Sequence, residues 1–184
     1  RFIFLLLNDV QYLLDEVMIN IKKINKHEKS VNKEDKLNPN EIIHISNSIK
    51  SYNLYIKEFL IFIEATSSDL LELFNKNEVT DKIAILLDTL LSELVGDTRK
   101  DLIIKDAKKY YFNPLVLLRI LGNIYINLGY DKKIIEAISN ERLYKEEYLE
   151  KLIKITMDRN LFERQTWFKI GLLSSVKQKI NEFQ

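Results

Sequence analysis

The feature that most restricts the fold of this chain is a segment, residues 114–128, that is apolar almost all the way round when it is read as a helix. Asn113 and Pro114 are residue types that favour a helix N-cap and a first helical position, and Gly129 follows the last apolar residue. Its polar positions fall on one narrow stripe at helical spacing, comprising Arg119, Gly122, Asn123 and Asn127. Such a helix is usually enclosed by other helices, so the segment predicts a packed helical scaffold.

Composition favours an all-α fold. The 184 residues include only four Gly and two Pro, too few for an all-β fold with many turns. Lys, Glu, Leu and Ile dominate instead, and these residues favour or tolerate helix. The length suits one sizeable core or one segment of a larger one. Because the sequence starts with Arg1 and an apolar run rather than Met, we expect a piece of a longer protein.

Apolar spacing and capping residues divide the chain into a series of predicted helices. Asn38, Pro39 and Glu41 form a capping-box pattern, and Gly96 is placed as a helix stop. A polar run over 27–37 predicts an exposed loop, and 97–109 predicts a charged connection with an apolar patch. The predicted helices cover residues 2–26, 39 to 65–68, 69–74, 80–95, 114–128, 131–138, 145–158 and 162–183.

Helix pairs joined by short links predict stacked helical hairpins in an irregular superhelix of the armadillo or HEAT type. The sequence shows no repeat of fixed period, so regular repeats are not part of this prediction.

Charge and residue usage exclude several classes of protein. The net charge of +1, from 28 basic and 27 acidic residues, provides no global field for nucleic acid or an anionic membrane. The absence of Cys excludes disulfides and thiol catalysis, weakens any zinc hypothesis and fits an intracellular protein. The apolar run at residues 2–7 ends at Asn8 and Asp9, far short of a membrane span. We therefore expect neither a membrane nor a nucleic-acid partner.

The sequence predicts no catalytic, cofactor-binding or metal-binding residue. Its two histidines, His27 and His44, have no second His or Cys at metal-ligand spacing. The neighbours Asp15 and Glu16 point about 100° apart on a helix, so they do not converge on one substrate atom. No glycine-rich phosphate loop is present, since the four glycines are isolated.

Two groups of side chains suggest binding, and each has a packing alternative. The basic and aromatic residues Lys105, Lys108, Lys109, Tyr110, Tyr111 and Phe112 are typical of a nucleic-acid groove. Asp101 and Asp106 dilute this charge, and the rings directly precede a helix cap, so packing is the favoured interpretation. The first helix and the pair Trp167–Phe168 offer a groove for a partner helix. Core packing is again the favoured interpretation for such large residues.

Four ordered segments carry a resemblance to a known family. They read Leu-Asn-Asp-Val-Gln-Tyr-Leu-Leu-Asp-Glu at 7–16, Leu-Val-Gly at 94–96, Tyr-Tyr-Phe-Asn-Pro at 110–114 with Ile-Tyr-Ile-Asn-Leu at 124–128, and Glu-Arg-Leu-Tyr at 141–144. In this order and spacing they resemble the core region of the U-box ubiquitin conjugation factors, which elongate ubiquitin chains. Asp97 departs from the family's usual Pro, Leu143 departs from its usual Ser, and residues 27–78 match least.

The resemblance implies that residues 1–184 form the C-terminal part of an armadillo-like core in a ubiquitin ligase, a transferase acting in protein degradation. In that family a U-box lies C-terminal to this core and recruits the ubiquitin-conjugating enzyme. This chain carries no U-box, so the resemblance implies a scaffold segment that is not catalytic alone. The implied partners are ubiquitinated substrates, the conjugating enzyme through the U-box, and a segregase AAA ATPase, and the implied location is the cytoplasm or nucleus.

Two hypotheses of other classes remain open at this point. One is a helical-repeat interaction adaptor unrelated to ubiquitin, and a parent protein without a U-box would favour it. The other, favoured less, is an RNA-binding helical module that uses residues 105–112.

Overall fold

The computed structural model describes residues 1–32 and 36–183, and within these ranges it contains helices and no β-strand. The all-α prediction is therefore confirmed. The α-helices of the described chain are α1 (Phe2–Lys29), α2 (Pro39–Asp69), α3 (Asn77–Val95), α4 (Pro114–Leu128), α5 (Lys132–Ser139), α6 (Glu146–Arg159) and α7 (Thr166–Asn181). No helix in the described ranges is long and apolar enough to cross a membrane.

Local capping signals place several helix ends as predicted. α4 begins at Pro114 and ends at Leu128, and the Asn113 side chain accepts a hydrogen bond from the Val116 N–H. At the start of α2 the predicted capping box is complete, because Asn38 and Glu41 each bind the other's backbone N–H, at 2.9 and 2.8 Å. α1 runs three residues further than predicted, to Lys29. Residues 33–35 of the predicted loop 27–37 lie outside the described residues.

The prediction was wrong at two places around α3. The predicted helix 69–74 is only a short 3-10 turn over Leu71–Leu73. α3 begins at Asn77, not at residue 80. The Thr80 hydroxyl lies inside the first turn and donates back to the carbonyls of Phe74 and Lys76, at 2.8 and 3.1 Å. At the other end Gly96 does stop the helix, with an extended backbone (φ −74°, ψ −171°).

The last helix also starts later than the predicted residue 162. Asn160 and Glu163 both have positive φ angles near 50°, which break the helical path between α6 and α7. The Thr166 hydroxyl then donates to Asn160 Oδ1 at 2.6 Å and accepts from the Phe162 N–H at 3.3 Å. These bonds within the turn fix the start of α7 at Thr166.

α4 lies at the centre of the molecule and is enclosed by α2, α3, α6 and α7. Most of its apolar side chains are buried, comprising Leu117, Leu118, Ile120, Leu121, Ile124, Tyr125, Ile126 and Leu128. Two residues of its polar stripe, Asn123 and Asn127, are half-buried and contact α2. Asn123 donates to the Glu64 carboxylate at 2.6 Å, and Asn127 donates to the Glu64 carbonyl at 2.9 Å. The sequence-based prediction of an enclosed helix is confirmed.

The other helices are arranged around α4 in layers. α1 and α2 are antiparallel, since Phe2 at the start of α1 shares a groove with Phe62 near the end of α2. α1 packs against α2 and α3, and α2 packs against α4. α3 also packs against α5 and α6, while α7 packs against α4, α5 and α6. One continuous core runs from α1 to α7, which gives the chain the character of a rigid scaffold.

The connection between α3 and α4 is ordered by side chains from the long helices. It contains two 3-10 turns, Asp97–Leu102 and Ala107–Tyr110. Asn25 on α1 donates to the Ile103 carbonyl, and Asn53 on α2 donates to the Tyr110 carbonyl at 2.8 Å. Buried carbonyls outside helices require such donors, so these amides hold a non-helical segment in one conformation.

Gly129 allows α4 and α7 to approach closely. A Cβ atom at this position would lie 2.4 Å from Cγ2 of Val176 on α7 and 2.9 Å from the Tyr125 carbonyl oxygen. Gly171, in the middle of α7, is the opposite case, because a Cβ there would meet no atom within 4 Å.

We predict that Gly129→Ala destabilises the chain by about 1–3 kcal/mol, because the added methyl group overpacks the contact with Val176. Gly171→Ala is the matched control and should stabilise it by about 0.5–1 kcal/mol through helix propensity alone. Urea unfolding of both variants gives the two free energies. Equal effects of the two substitutions would contradict the close approach at Gly129.

We predict that Asn113→Ala lowers the free energy of unfolding by roughly 0.5–2 kcal/mol, because the Val116 N–H loses its capping acceptor. Asn113→Ser keeps an oxygen at the cap and should retain most of the stability. Thermal unfolding followed by circular dichroism measures both variants. An unchanged melting midpoint for Asn113→Ala would mean that this cap does not stabilise α4.

Candidate interaction surfaces

The two histidines do not form a site for chemistry. His27 lies near the end of α1, where its Nδ1 accepts a hydrogen bond from the Leu37 N–H at 3.1 Å. His44 is exposed on α2. Among the described residues, no group of three or more His, Asp or Glu side chains is arranged to hold a metal ion. The bond to Leu37 gives His27 a structural role in closing the segment between α1 and α2.

Asp15 and Glu16 belong to the contact between α1 and α3. Asp15 accepts a hydrogen bond from Gln11 at 2.9 Å. Partial burial raises the pKa of Asp15, the Gln11 bond opposes the shift, and the charges of Glu93 and Glu16 add to it. Glu93, on α3, is itself paired with Lys22 at 2.8 Å. The Lys22–Glu93 pair joins α1 to α3, whereas the charge of Asp15 opposes that of Glu93.

The backbone conformation of residues 105–112 places one of their three aromatic rings at the surface and two in the core. Tyr111 has a left-handed conformation (φ 53°), and its ring is exposed. The flanking rings of Tyr110 and Phe112 are buried in the core. Two of the three rings are therefore unavailable for stacking on bases, so the packing interpretation is confirmed for Tyr110 and Phe112. Lys105, Lys108 and Lys109 remain at the surface.

The core interpretation of Trp167 and Phe168 was wrong, because these side chains are 75% and 67% exposed. α7 turns Thr166, Leu173, Val176 and Ile180 inward, and these four residues are buried. Residues one and two positions after Thr166 are rotated about 100° and 200° away from it, so they point outward. The pair is therefore an exposed aromatic surface at the start of α7. This arrangement favours the alternative of a contact surface for a partner.

A second exposed apolar surface runs along α1. Its inner face is buried as predicted, through Val10, Leu14, Val17, Ile21 and Ile24. On the other side of the helix lie Phe2, Leu5, Tyr12 and Ile19, which we call the α1 outer stripe; they are 48–67% exposed. Sequence analysis named the first helix as a groove for a partner but did not separate these two faces. The signal was present in the seven-residue spacing of Leu5, Tyr12 and Ile19.

Phe2, the first residue of the α1 outer stripe, also lines a groove between the helices. The groove has a volume of about 350 Å³ and lies between the start of α1, the end of α2 and the start of α3. Apolar side chains from these elements line it, among them Phe2, Phe62 and Leu70. Arg1 and Lys76 are the charged residues in its lining.

Asp88 on α3 is a buried carboxyl group that sequence analysis missed. It is 1% exposed and accepts a hydrogen bond from the Tyr125 hydroxyl on α4 at 2.8 Å. Burial raises the pKa of Asp88 to about 8, with a smaller contribution from the charge of Glu141 and an opposing one from the Tyr125 bond. Its position within the apolar run Leu86-Leu87-Asp88-Thr89-Leu90-Leu91 was the available signal.

Tyr144 extends the polar contacts near Asp88 towards α7. Its hydroxyl donates to Asn181 Oδ1 at 2.9 Å, which joins the segment before α6 to the end of α7. Burial raises the pKa of Tyr144 well above its usual value, and the charge of Asp88 adds to the shift. The hydroxyl therefore stays protonated and remains a donor. Asp88, Tyr125 and Tyr144 are structural groups that bind helices together.

With this geometry established, comparison with known proteins identifies the family. The family model described as the ubiquitin elongating factor core matches residues 1–179, nearly the whole chain. The chain belongs to this family. The resemblance to the core of the U-box ubiquitin conjugation factors is thereby confirmed, and an adaptor unrelated to ubiquitin is set aside.

Individual members of the ubiquitin elongating factor core family are similar along most or all of the chain. The ubiquitin conjugation factor E4 of Schizosaccharomyces pombe is 26% identical over an alignment that includes 100% of this chain. The E4 ubiquitin-protein ligase UFD2 of Saccharomyces cerevisiae is 28% identical over 89% of this chain. The probable ubiquitin conjugation factor E4 of Arabidopsis thaliana is 29% identical over 70%.

These relatives are much longer than the chain. The alignments span 19%, 17% and 13% of the three proteins, in the same order. The chain therefore corresponds to less than a fifth of each relative.

We predict that the free energy of unfolding falls as the pH rises from about 5.5 to about 8. Asp88 binds a proton more tightly in the folded state than in the unfolded state, where its pKa has the ordinary value of 3.8. Between these pKa values only the folded form holds the proton, so stability is lost with rising pH, by up to about 1.4 kcal/mol per pH unit. Urea unfolding across this range measures the slope.

Asp88→Asn resembles the protonated carboxyl group and should remove this contribution to the slope. Asp158→Asn is the matched control, since it removes an exposed carboxyl group of α6 and should leave the slope in place. The same slope in Asp88→Asn and the unsubstituted chain would contradict the assignment to Asp88.

Proposed function

We propose that this chain is a scaffold segment of a U-box ubiquitin ligase that elongates ubiquitin chains. The observation that carries the proposal is the match of the ubiquitin elongating factor core to residues 1–179. A relative's name, E4 ubiquitin-protein ligase, supports ligase activity for the whole protein. In this proposal the chain is the C-terminal part of the helical core, and a U-box in the same protein recruits the ubiquitin-conjugating enzyme.

The physical properties of the chain suit a spacer that holds other domains apart. α2 has 31 residues and is therefore about 46 Å long, and α1 is nearly as long. Both helices pack along a core that continues to α7, and amide side chains fix the connection before α4. A rigid body of this length keeps a bound substrate and a charged conjugating enzyme at a defined separation, which favours transfer over free diffusion.

Partners other than the conjugating enzyme require accessible surface. Trp167 and Phe168 supply it at the start of α7, because aromatic side chains are enriched where proteins bind one another. We propose ubiquitinated substrates and a segregase AAA ATPase as the partner classes of the whole protein. An intracellular location, in the cytoplasm or nucleus, accompanies this function.

We predict that the 184-residue chain alone does not accelerate ubiquitin discharge from a charged conjugating enzyme, whereas the longest polypeptide encoded by its transcript does. The thioester is followed over time on non-reducing gels, with free lysine as the acceptor. Reading the transcript beyond the codon for Gln184 identifies the domain responsible. A small domain of short strands and one helix agrees with a U-box.

Two results would contradict the proposal. Robust discharge by the 184-residue chain alone would place a catalytic surface within it. A transcript that encodes no U-box would remove the ligase activity. In the longer polypeptide, Trp167→Ala with Phe168→Ala tests the aromatic surface separately, and it should leave discharge to free lysine unchanged while reducing transfer to a ubiquitinated substrate.

A further inference from the structure

α1 carries more apolar surface than the fold of this chain uses. A helix at the surface of a globular protein typically has one apolar face, which is directed at the core. The inner face of α1 already satisfies this need with buried side chains from Leu7 to Ile24. The α1 outer stripe lies on the opposite side of the helix and contributes no buried residue to the core.

The spacing of the α1 outer stripe matches a helix as its partner. Leu5, Tyr12 and Ile19 lie seven residues apart, and Phe2 precedes Leu5 by three. Seven-residue spacing is a pattern of helices packed lengthwise; here Phe2 alone fills the second apolar position of that pattern, and Asp9 and Glu16 occupy its repeats. The stripe from Phe2 to Ile19 is about 26 Å long, which corresponds to a partner helix of several turns. A small ligand or a short peptide would cover only part of it.

The same surface continues onto α2. Phe62 shares the groove with Phe2, and Tyr55 lies seven residues before Phe62 on the same side of α2. Tyr55 and Phe62 are 65% and 42% exposed. We call the α1 outer stripe together with Tyr55 and Phe62 the outer face. Several large exposed apolar side chains on two packed helices are characteristic of an interface.

The position of the outer face within the layers indicates where its partner comes from. α3 and α4 cover the inner sides of α1 and α2, and no described element of this chain is left to cover the outer side. The relatives contain more than four-fifths of their length outside the aligned region. A further helical layer from that remaining polypeptide would bury the outer face as α3 and α4 bury the inner one.

We propose that the outer face of α1 and α2 docks a helix from the remainder of a longer polypeptide of which this chain is one segment. Asp9 and Glu16 alternate with the apolar residues of the α1 outer stripe, and Lys23 follows Ile19 on the same line, so the docked helix carries basic residues opposite Asp9 and Glu16. This inference rests on the proposed function only in placing the chain within a longer protein. It does not depend on ligase activity.

The absence of Cys from the chain allows a direct test by thiol labelling. Tyr12→Cys and Ile19→Cys each place one thiol on the outer face, and Glu136→Cys places a control thiol on the exposed side of α5, which packs against α3 and α7. Each is prepared in the 184-residue chain and in the longest polypeptide that the transcript encodes. Mass spectrometry of the labelled peptide follows maleimide reaction at that site alone, relative to the denatured protein.

We expect both outer-face thiols to react rapidly in the 184-residue chain and at least about tenfold more slowly in the longer polypeptide. The control at Glu136→Cys should react at similar rates in both. Equal rates at Tyr12→Cys and Ile19→Cys in the two proteins would overturn the proposal, as would a transcript that encodes no further helix.

Self-association is distinguished by repeating the labelling over about a hundredfold range of protein concentration. Protection of the outer face in the 184-residue chain that grows with concentration would assign the surface to a second copy and overturn the proposal. Because labelling is independent of ubiquitin transfer, the docking inference and the proposed ligase function fail or hold separately.

Discussion

The burial of α4 is the constraint on which the rest of the structure depends. A helix with apolar residues on nearly every side gains stability only if other helices cover it all round, and α2, α3, α6 and α7 do so. That requirement places α2 along the polar stripe, where Asn123 and Asn127 find acceptors at Glu64. It also brings α7 against Gly129, where only the absence of a side chain permits the observed separation. The positions of the surrounding helices thus follow from the need to cover α4, which is apolar on nearly every side.

Several polar groups within this core are paired with specific partners and so favour a rigid structure. Asn25 and Asn53 donate to carbonyls in the connection between α3 and α4 and so tie it to α1 and α2. Asp88 and Tyr125 join α3 to α4 in the apolar interior, at the cost of a carboxyl group whose ionisation is opposed by burial. An apolar core alone tolerates alternative packings, whereas these directional bonds restrict it to one. Such restriction suits a segment whose proposed role is to hold other parts of a protein in place.

Local signals in the sequence predicted those parts of the fold that local interactions determine. Asn113, Pro114 and Gly129 gave both ends of α4, and Asn38 with Glu41 gave the start of α2. The starts of α3 and α7 were misplaced because Thr80 and Thr166 use their hydroxyls in turn contacts that residue type does not reveal. Trp167 and Phe168 were assigned to the core because size and apolarity do not show which way a short apolar run faces. The resemblance to the ubiquitin conjugation factors came from ordered motifs, and periodicity alone would have given only a helical scaffold.

The exposed apolar residues of this chain indicate where it contacts other parts of a protein. In a layered helical protein each layer covers the one before it, so apolar surface remains at the faces that no layer of the chain reaches. Here such surface occurs on α1 and α2, as the outer face, and again on α7, at Trp167 and Phe168. In the interior, α3 and α4 pack against apolar faces of other helices on both sides. The exposed apolar faces are suited to the same kind of packing. The two surfaces differ in form: a stripe about 26 Å long accepts a helix lengthwise, whereas two adjacent rings on one turn anchor a contact at a point. The form of the outer face therefore suits the proposed packing of a further helix, and the form of the aromatic pair suits the proposed recognition of a separate partner.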